Sequence, residues 1–277
     1  MHNTKFKGRL LLGVFVFVLL VLGFEIFPLA SVVAGSFTDG NGGFTLKNYI
    51  TAFTNPFYLQ SIINSIALAV YSSLAGIIVA LAGAYSVSKL SAKTRDKILM
   101  LSNMTSNFAG VPLAFAFIII LGNSGVFVLL FKYLGWDISQ GFNLYSATGL
   151  ILVYIYFQIP LGILLLYPTL DAIKVEWKEA ALLLGASPYR FWVHIGIPVL
   201  LPGIIGTFNV LFANAMGAYA TAVALTNGSN NLLTIRIGAL ISGDIFTDPQ
   251  QAGALSVILA LILVAVNLAN RKLLKVR

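Results

Sequence analysis

Long apolar runs, each interrupted by a short polar or charged cluster, set the pattern of this chain. A membrane-spanning helix needs about 20 mostly apolar residues. Six segments reach that length: 10–34, 58–88, 98–122, 144–168, 199–225 and 251–270. The second is long enough to tilt or to extend past the bilayer. Several contain Gly and Pro, which spanning helices tolerate better than soluble ones. The pattern predicts an all-α integral membrane protein with six transmembrane helices. It divides into a first span with its outer loop (1–57), a transmembrane core (58–270) containing a cytoplasmic loop (169–198), and a basic tail (271–277).

The first run needs separate treatment. KFKGRLLLGVFVFVLLVLG has the basic start and apolar centre of a signal peptide, and SVVAGS resembles a cleavage site. The apolar stretch continues past Glu25 to about Ala34, which is too long for an ordinary signal core. It reads as a retained span, with Phe27-Pro28 expected to break the helix near its outer end.

Charge then sets the orientation. Lys5, Lys7 and Arg9 precede span 1, and Lys89, Lys93, Arg95 and Lys97 lie between spans 2 and 3. Lys174, Lys178 and Arg190 lie between spans 4 and 5, and Arg271, Lys272, Lys275 and Arg277 follow span 6. These are 14 of the 17 basic residues, all on one side, against Lys47, Lys132 and Arg236 on the other. The excess of positive charge marks the cytoplasmic side, so both termini are cytoplasmic. The net charge of +8 is therefore a topological signature. No basic–aromatic patch accompanies it, so nucleic acid is not an expected partner.

Composition narrows the function classes. The chain is 58% hydrophobic and 9% charged, whereas soluble domains carry roughly a quarter charged residues. It has no cysteine and two distant histidines, His2 and His194, so neither a metal site nor a cofactor is expected. No P-loop, HExxH or GxSxG pattern is present, so any use of ATP falls to another subunit. The outer loops 35–57, 123–143 and 226–250 are too short for separate domains, although LLTIRIGALI in the last predicts a short interfacial or re-entrant helix.

The largest cytoplasmic loop has its own local code. Asp171 is a candidate N-cap for a helix from about Ala172. Trp177, Ala180, Ala181 and Leu184 follow the i, i+3, i+4, i+7 spacing of one apolar face. Gly185 is placed to end that helix in a left-handed conformation. Ser187 and Pro188 then supply an N-cap and a first-turn proline for a second helix, which Pro198 is expected to stop. Two short helices cannot bury their own apolar faces. Spans, lipid headgroups or another protein must cover them.

Glu179-Ala180-Ala181, three residues, Gly185, nine residues, Ile195, one residue and Ile197-Pro198 is similar to the EAA loop of ABC importer permeases, E-A-A-x3-G-x9-I-x-L-P. Only Ile197 departs, one aliphatic replacing another. The resemblance covers about 58–270, with span 1 as an addition. It implies that Glu179, Ala180, Ala181, Gly185, Ile195 and Pro198 form an ATPase-coupling loop. It further implies two cytoplasmic ATPase subunits, a second permease chain and an extracytoplasmic substrate-binding protein, all at a bacterial inner membrane. Residues 110–125, GVPLAFAFIIILGNSG, look most like the polyamine, aminophosphonate and iron branch, whose permeases usually pair as different chains; the sugar branch is the alternative.

Polar residues inside spans are the natural lining of a solute pathway. Span 5 holds Asn209, Asn214, Tyr219 and Thr221, span 3 opens with Asn103, Thr105, Ser106 and Asn107, and span 4 carries Tyr154, Tyr156 and Gln158. The competing role for each is interhelical hydrogen bonding. Asn214 and Thr221 share a helical face, and Asn209 lies about 140° from Asn214. Gly76, Ala80 and Ala84 form a small-residue stripe for close packing. A self-sufficient ion-coupled carrier is the rival class, with Glu25 as its coupling group. It predicts internal inverted repeats, and none is evident.

Overall fold

A computed structural model describes residues 13–136, 141–243 and 247–275. The expected basic cluster Lys5, Lys7 and Arg9 lies outside the described residues, as does Arg277. Apart from one isolated bridge between Thr38 and Phe44, the described residues hold helices and turns. Among the described residues, six helical stretches are long and apolar enough to cross a membrane, one of them (111–133) interrupted by a short turn. We label the helices α1 (Gly13–Ser36), α2 (Lys47–Thr54), α3 (Pro56–Ser88), α4 (Ala92–Ser106), α5 (Val111–Leu121) and α6 (Val126–Tyr133). Then come α7 (Ala147–Asp171), α8 (Val175–Leu183), α9 (Pro188–Gly217), α10 (Tyr219–Thr226), α11 (Leu233–Ser242) and α12 (Pro249–Lys275).

The contacts divide the chain into two compact units. One comprises the chain to Leu59 with Arg236–Leu261. Here Gly253 allows α12 to approach α1: a Cβ at that position would lie 3.1 Å from the Val32 carbonyl oxygen. The other comprises Gln60–Ile235 with the chain from Ile262. Its core is built from three helices. Ile77, Ala80 and Ala84 of α3 pack with Leu166 and Leu170 of α7 and Leu200 and Leu211 of α9. The small-residue stripe does what its spacing implies. Gly76 faces the Cβ of Gln158, and a Cβ on Gly162 would fall 2.6 Å from that of Ala80.

Spans 2, 4 and 6 match their expected positions within a few residues. Two others depart, both through backbone geometry that hydropathy does not report. The expected span 98–122 is broken. α4 ends at Ser106, Gly110 takes φ +75°, and α5 begins at Val111 with Pro112 in its first turn. Gly tolerates that dihedral, and Pro starts a helix readily because its missing N–H is not needed there. The apolar stretch that follows, 111–133, is itself interrupted at 122–125, and α6 occupies sequence expected to be outer loop.

The second departure is the reverse. Pro198 does not stop the helix from Pro188, which runs on to Gly217. A π-turn at Trp192–Gly196 carries the Ile197 N–H to the Trp192 carbonyl. This extra residue resets the hydrogen-bond ladder and puts Pro198 at the start of the new α-helical segment, where its missing donor does no harm. The same device, at Leu22–Ile26, carries α1 through Pro28, so the expected break at Phe27-Pro28 is absent. The expected span 5 instead breaks at Ala218 (φ −76°, ψ +67°), which separates α9 from α10.

Candidate functional site

The loop between α7 and α9 forms a helix, a sharp turn and a second helix. Asp171 is not its N-cap: it ends α7, and α8 begins at Val175 after Lys174. Gly185 takes φ +80°. Its N–H donates to the Leu182 carbonyl at 3.0 Å, and the Ala186 N–H donates to the Ala181 carbonyl at 2.9 Å. This paired pattern satisfies the last carbonyls of α8 and requires a left-handed residue at position 185. The Ser187 hydroxyl then accepts from the Arg190 N–H at 3.3 Å, with Pro188 in the first turn. Gly185 and Ser187 thus close one helix and open the next, as their chemistry predicts.

The apolar face is left largely uncovered by the rest of the chain. Of Trp177, Ala180, Ala181 and Leu184, only Ala181 is buried, and Leu184 is 88% exposed. Leu183 is equally exposed, and Tyr189 and Val175 are also open. Glu179, Ala180, Gly185 and Pro198 are exposed, and Ile195 is half-buried. Phe191 anchors the loop: it is buried and meets Trp192 edge-on, with Trp192 in turn against Tyr85 of α3. The loop is therefore rooted in the core and presents Glu179, Ala180, Leu183 and Leu184 outward.

A second feature joins the two helix breaks. The Gly110 N–H donates to Thr221 Oγ1 at 2.9 Å, and the Tyr154 hydroxyl donates to the Ala218 carbonyl at 2.6 Å. Hydrogen bonds thus tie the break after α4 and the break after α9 to each other's neighbourhood and to the first third of α7. Beside them lies an open cleft of about 430 Å³ lined by Asn214, Ala218, Tyr219 and Thr221, with Phe157 and Gly110. Three of the four expected pathway residues meet here. Asn209 does not: it is half-buried, and its Oδ1 accepts from the Asn270 amide of α12. The angular offset from Asn214 anticipated that separation. The polar residues of α4 turn to their own backbone, with Thr105, Ser106 and Asn107 each donating to a carbonyl within four residues. Gln158 is fully buried and donates to Ser72 Oγ at 3.0 Å. Of the residues the sequence reading left aside, Gly110 was legible from the following Val-Pro. Ala218 carried no such signal.

Residues 72–271 match the family model described as binding-protein-dependent transport system inner membrane component. This chain belongs to that family. It is a permease subunit of an ATP-driven ABC importer in the bacterial inner membrane, a multi-pass component rather than an enzyme. It is similar to the spermidine/putrescine transport system permease protein PotB of Escherichia coli, at 27% identity over 190 residues covering 69% of this chain and 68% of the relative. The PotB of Haemophilus influenzae is 25% identical over 280 aligned positions, covering 98% and 96%. Among solved structures, a bacterial alginate ABC transporter in complex with an alginate pentasaccharide-bound periplasmic protein superposes at TM-score 0.74 with 15% identity, covering 97% and 94%. That likeness establishes the importer permease fold.

Proposed function

We propose that this permease supplies one side of the translocation pathway for a small polyamine-like cation and takes its drive through the loop between α7 and α9. The observation that carries the reading is the exposed helix–turn–helix bearing Glu179-Ala180-Ala181 and the left-handed Gly185. Small alanines permit close approach of a partner, and the Glu179 carboxylate offers an ion pair to a basic residue. Two ATPase subunits are the partners of this surface, and a second, different permease chain completes the pathway. A binding protein delivers the solute from outside. Residues 58–270 form the working core, with α1 as an added span.

The cleft at the paired breaks suits a cation without a carboxylate. Spans 2 to 6 contain no acidic side chain before Asp171 at the end of α7. The Asn214 amide oxygen, the carbonyls at the end of α9 and the Tyr219 ring, 40% exposed, offer acceptors and a π face. Weak, neutral acceptors of this kind let a cation pass without trapping it. Kinship with spermidine/putrescine permeases supports this class, with an aminophosphonate as the alternative.

The test is uptake of labelled spermidine by the assembled complex in liposomes loaded with ATP, with the binding protein outside. ATP-dependent accumulation is expected. A complex that assembles and hydrolyses ATP yet accumulates no polyamine would remove the substrate class.

A further inference from the structure

The short helix α2 has three distinct faces. The first packs on the chain. Ala52 is fully buried, and the Asn48 amide donates to the Ser36 and Thr38 carbonyls at 2.9 and 3.0 Å. The Tyr49 hydroxyl lies 2.7 Å from Ser36 Oγ, and its ring lies 5.0 Å from that of Phe37. The second face carries Lys47, Thr51 and Thr54 and is polar. The third carries Leu46, Ile50 and Phe53, spaced i, i+4, i+7, and these are 51, 59 and 54% exposed.

The level of this helix relative to the spans is set at both ends. Ser36, which holds Tyr49, is the last residue of α1. Asn55 alone separates α2 from α3; its carbonyl accepts from the Tyr58 and Leu59 N–H groups at 3.1 Å, and its Oδ1 accepts from the Phe57 N–H at 2.9 Å. α2 therefore sits where two spans leave the bilayer, on the outer side by the charge bias. The apolar surface of α1 reaches the same level, with Leu29 and Val33 exposed.

A helix with protein on one side, polar groups on the next and a narrow apolar row on the third is suited to a boundary between lipid and water. We propose that α2 is an interfacial anchor: Ile50 and Phe53 insert among the acyl-chain ends of outer-leaflet phospholipid, while Lys47 stays at the phosphate level. The exposed apolar skin of α1 ends in lipid, and α2 carries that skin across to the first turn of α3.

The chain lacks cysteine, so single-cysteine labelling is clean. Ile50→Cys, Phe53→Cys, Lys47→Cys and Thr54→Cys would each carry an environment-sensitive fluorophore in the assembled importer. Liposomes containing phospholipid with a nitroxide near the headgroup end of the acyl chain supply the quencher. Labels at 50 and 53 are expected to lose more than half their emission, and labels at 47 and 54 to keep most of it. No quenching at 50 and 53, or equal quenching at all four sites, would overturn the proposal. Quenching at 50 and 53 that disappears when the binding protein is added would reassign this face to that protein. Positions 50 and 53 are independent sites, so a variant that fails to assemble leaves the other informative. The readout needs no solute and no ATP, which separates it from the transport reading.

Discussion

Gly185 sits at φ +80° with no heavy atom within 4 Å of where a Cβ would be. A Cβ there meets no neighbour within this chain, so the penalty of substitution lies in backbone strain, about 1–2 kcal/mol for an L-residue in the left-handed region. Gly185→Val is expected to lower uptake and solute-coupled ATPase activity in the assembled complex. Gly185→Asn should retain most of both, since Asn tolerates that region. Equal activity for Val and glycine would show that the turn is not needed for coupling. Tyr154 offers a second residue-level test. Its hydroxyl closes the break at Ala218, a bond worth about 1 kcal/mol net. Tyr154→Phe should leave the amount of assembled complex unchanged and reduce the uptake rate. A wild-type rate would mean that the bond is packing only. Glu25 lies exposed on α1, and Glu25→Gln should retain ATP-driven uptake. Loss of uptake with intact assembly would instead give that carboxylate a working role.

At the scale of elements, proline and glycine act through the hydrogen-bond ladder rather than through their mere presence. Pro28 and Pro198 look like helix stops, yet each follows a five-residue π-turn that removes the conflict with the preceding carbonyl. Pro160 and Pro168 stand within α7, which continues through both. Gly110 instead opens a helix, as the N-cap of α5, in a dihedral closed to other residues. Glycines in the core serve another purpose. Gly162 lets α7 approach α3 until a Cβ would lie 2.6 Å from that of Ala80. Gly162→Leu should therefore reduce the yield of folded chain and lower its thermal stability, at a cost of about 1–3 kcal/mol from overpacking. Gly206→Ala is the control, since nothing lies within 4 Å of a Cβ there, and it should be neutral. Comparison of monodisperse yield and unfolding temperature in detergent decides between them.

At the scale of the whole molecule, the exposed surfaces call for partners. Leu183 and Leu184 stand outside the core on a loop rooted by buried Phe191, and the cleft at the paired breaks is open on one side. Gentle solubilisation and capture of this chain should bring down an ATPase subunit, a second permease and a binding protein. Replacing Leu183 and Leu184 with serine should release the ATPase while leaving the second permease bound. Release of both would place the loop in the permease pairing instead.

The all-α spanning class, the orientation and the helix–turn–helix of the loop were all legible in the sequence. Each depends on local facts: the length of an apolar run, the side on which Lys and Arg collect, and a capping Ser or a left-handed Gly one residue from its helix. The pattern from Glu179 to Pro198 is likewise a matter of spacing alone. Tertiary structure decided what locality cannot. It broke the expected third span between Ser106 and Val111, carried α9 through Pro198, and ended α9 at the Ala218 break. It brought Asn214, Tyr219 and Thr221 to one cleft and sent Asn209 to Asn270 instead. The physical reason is that a break in a buried helix survives only if its freed N–H and C=O groups find partners elsewhere. Here those partners are Thr221 for Gly110 and Tyr154 for Ala218, each from a distant part of the chain.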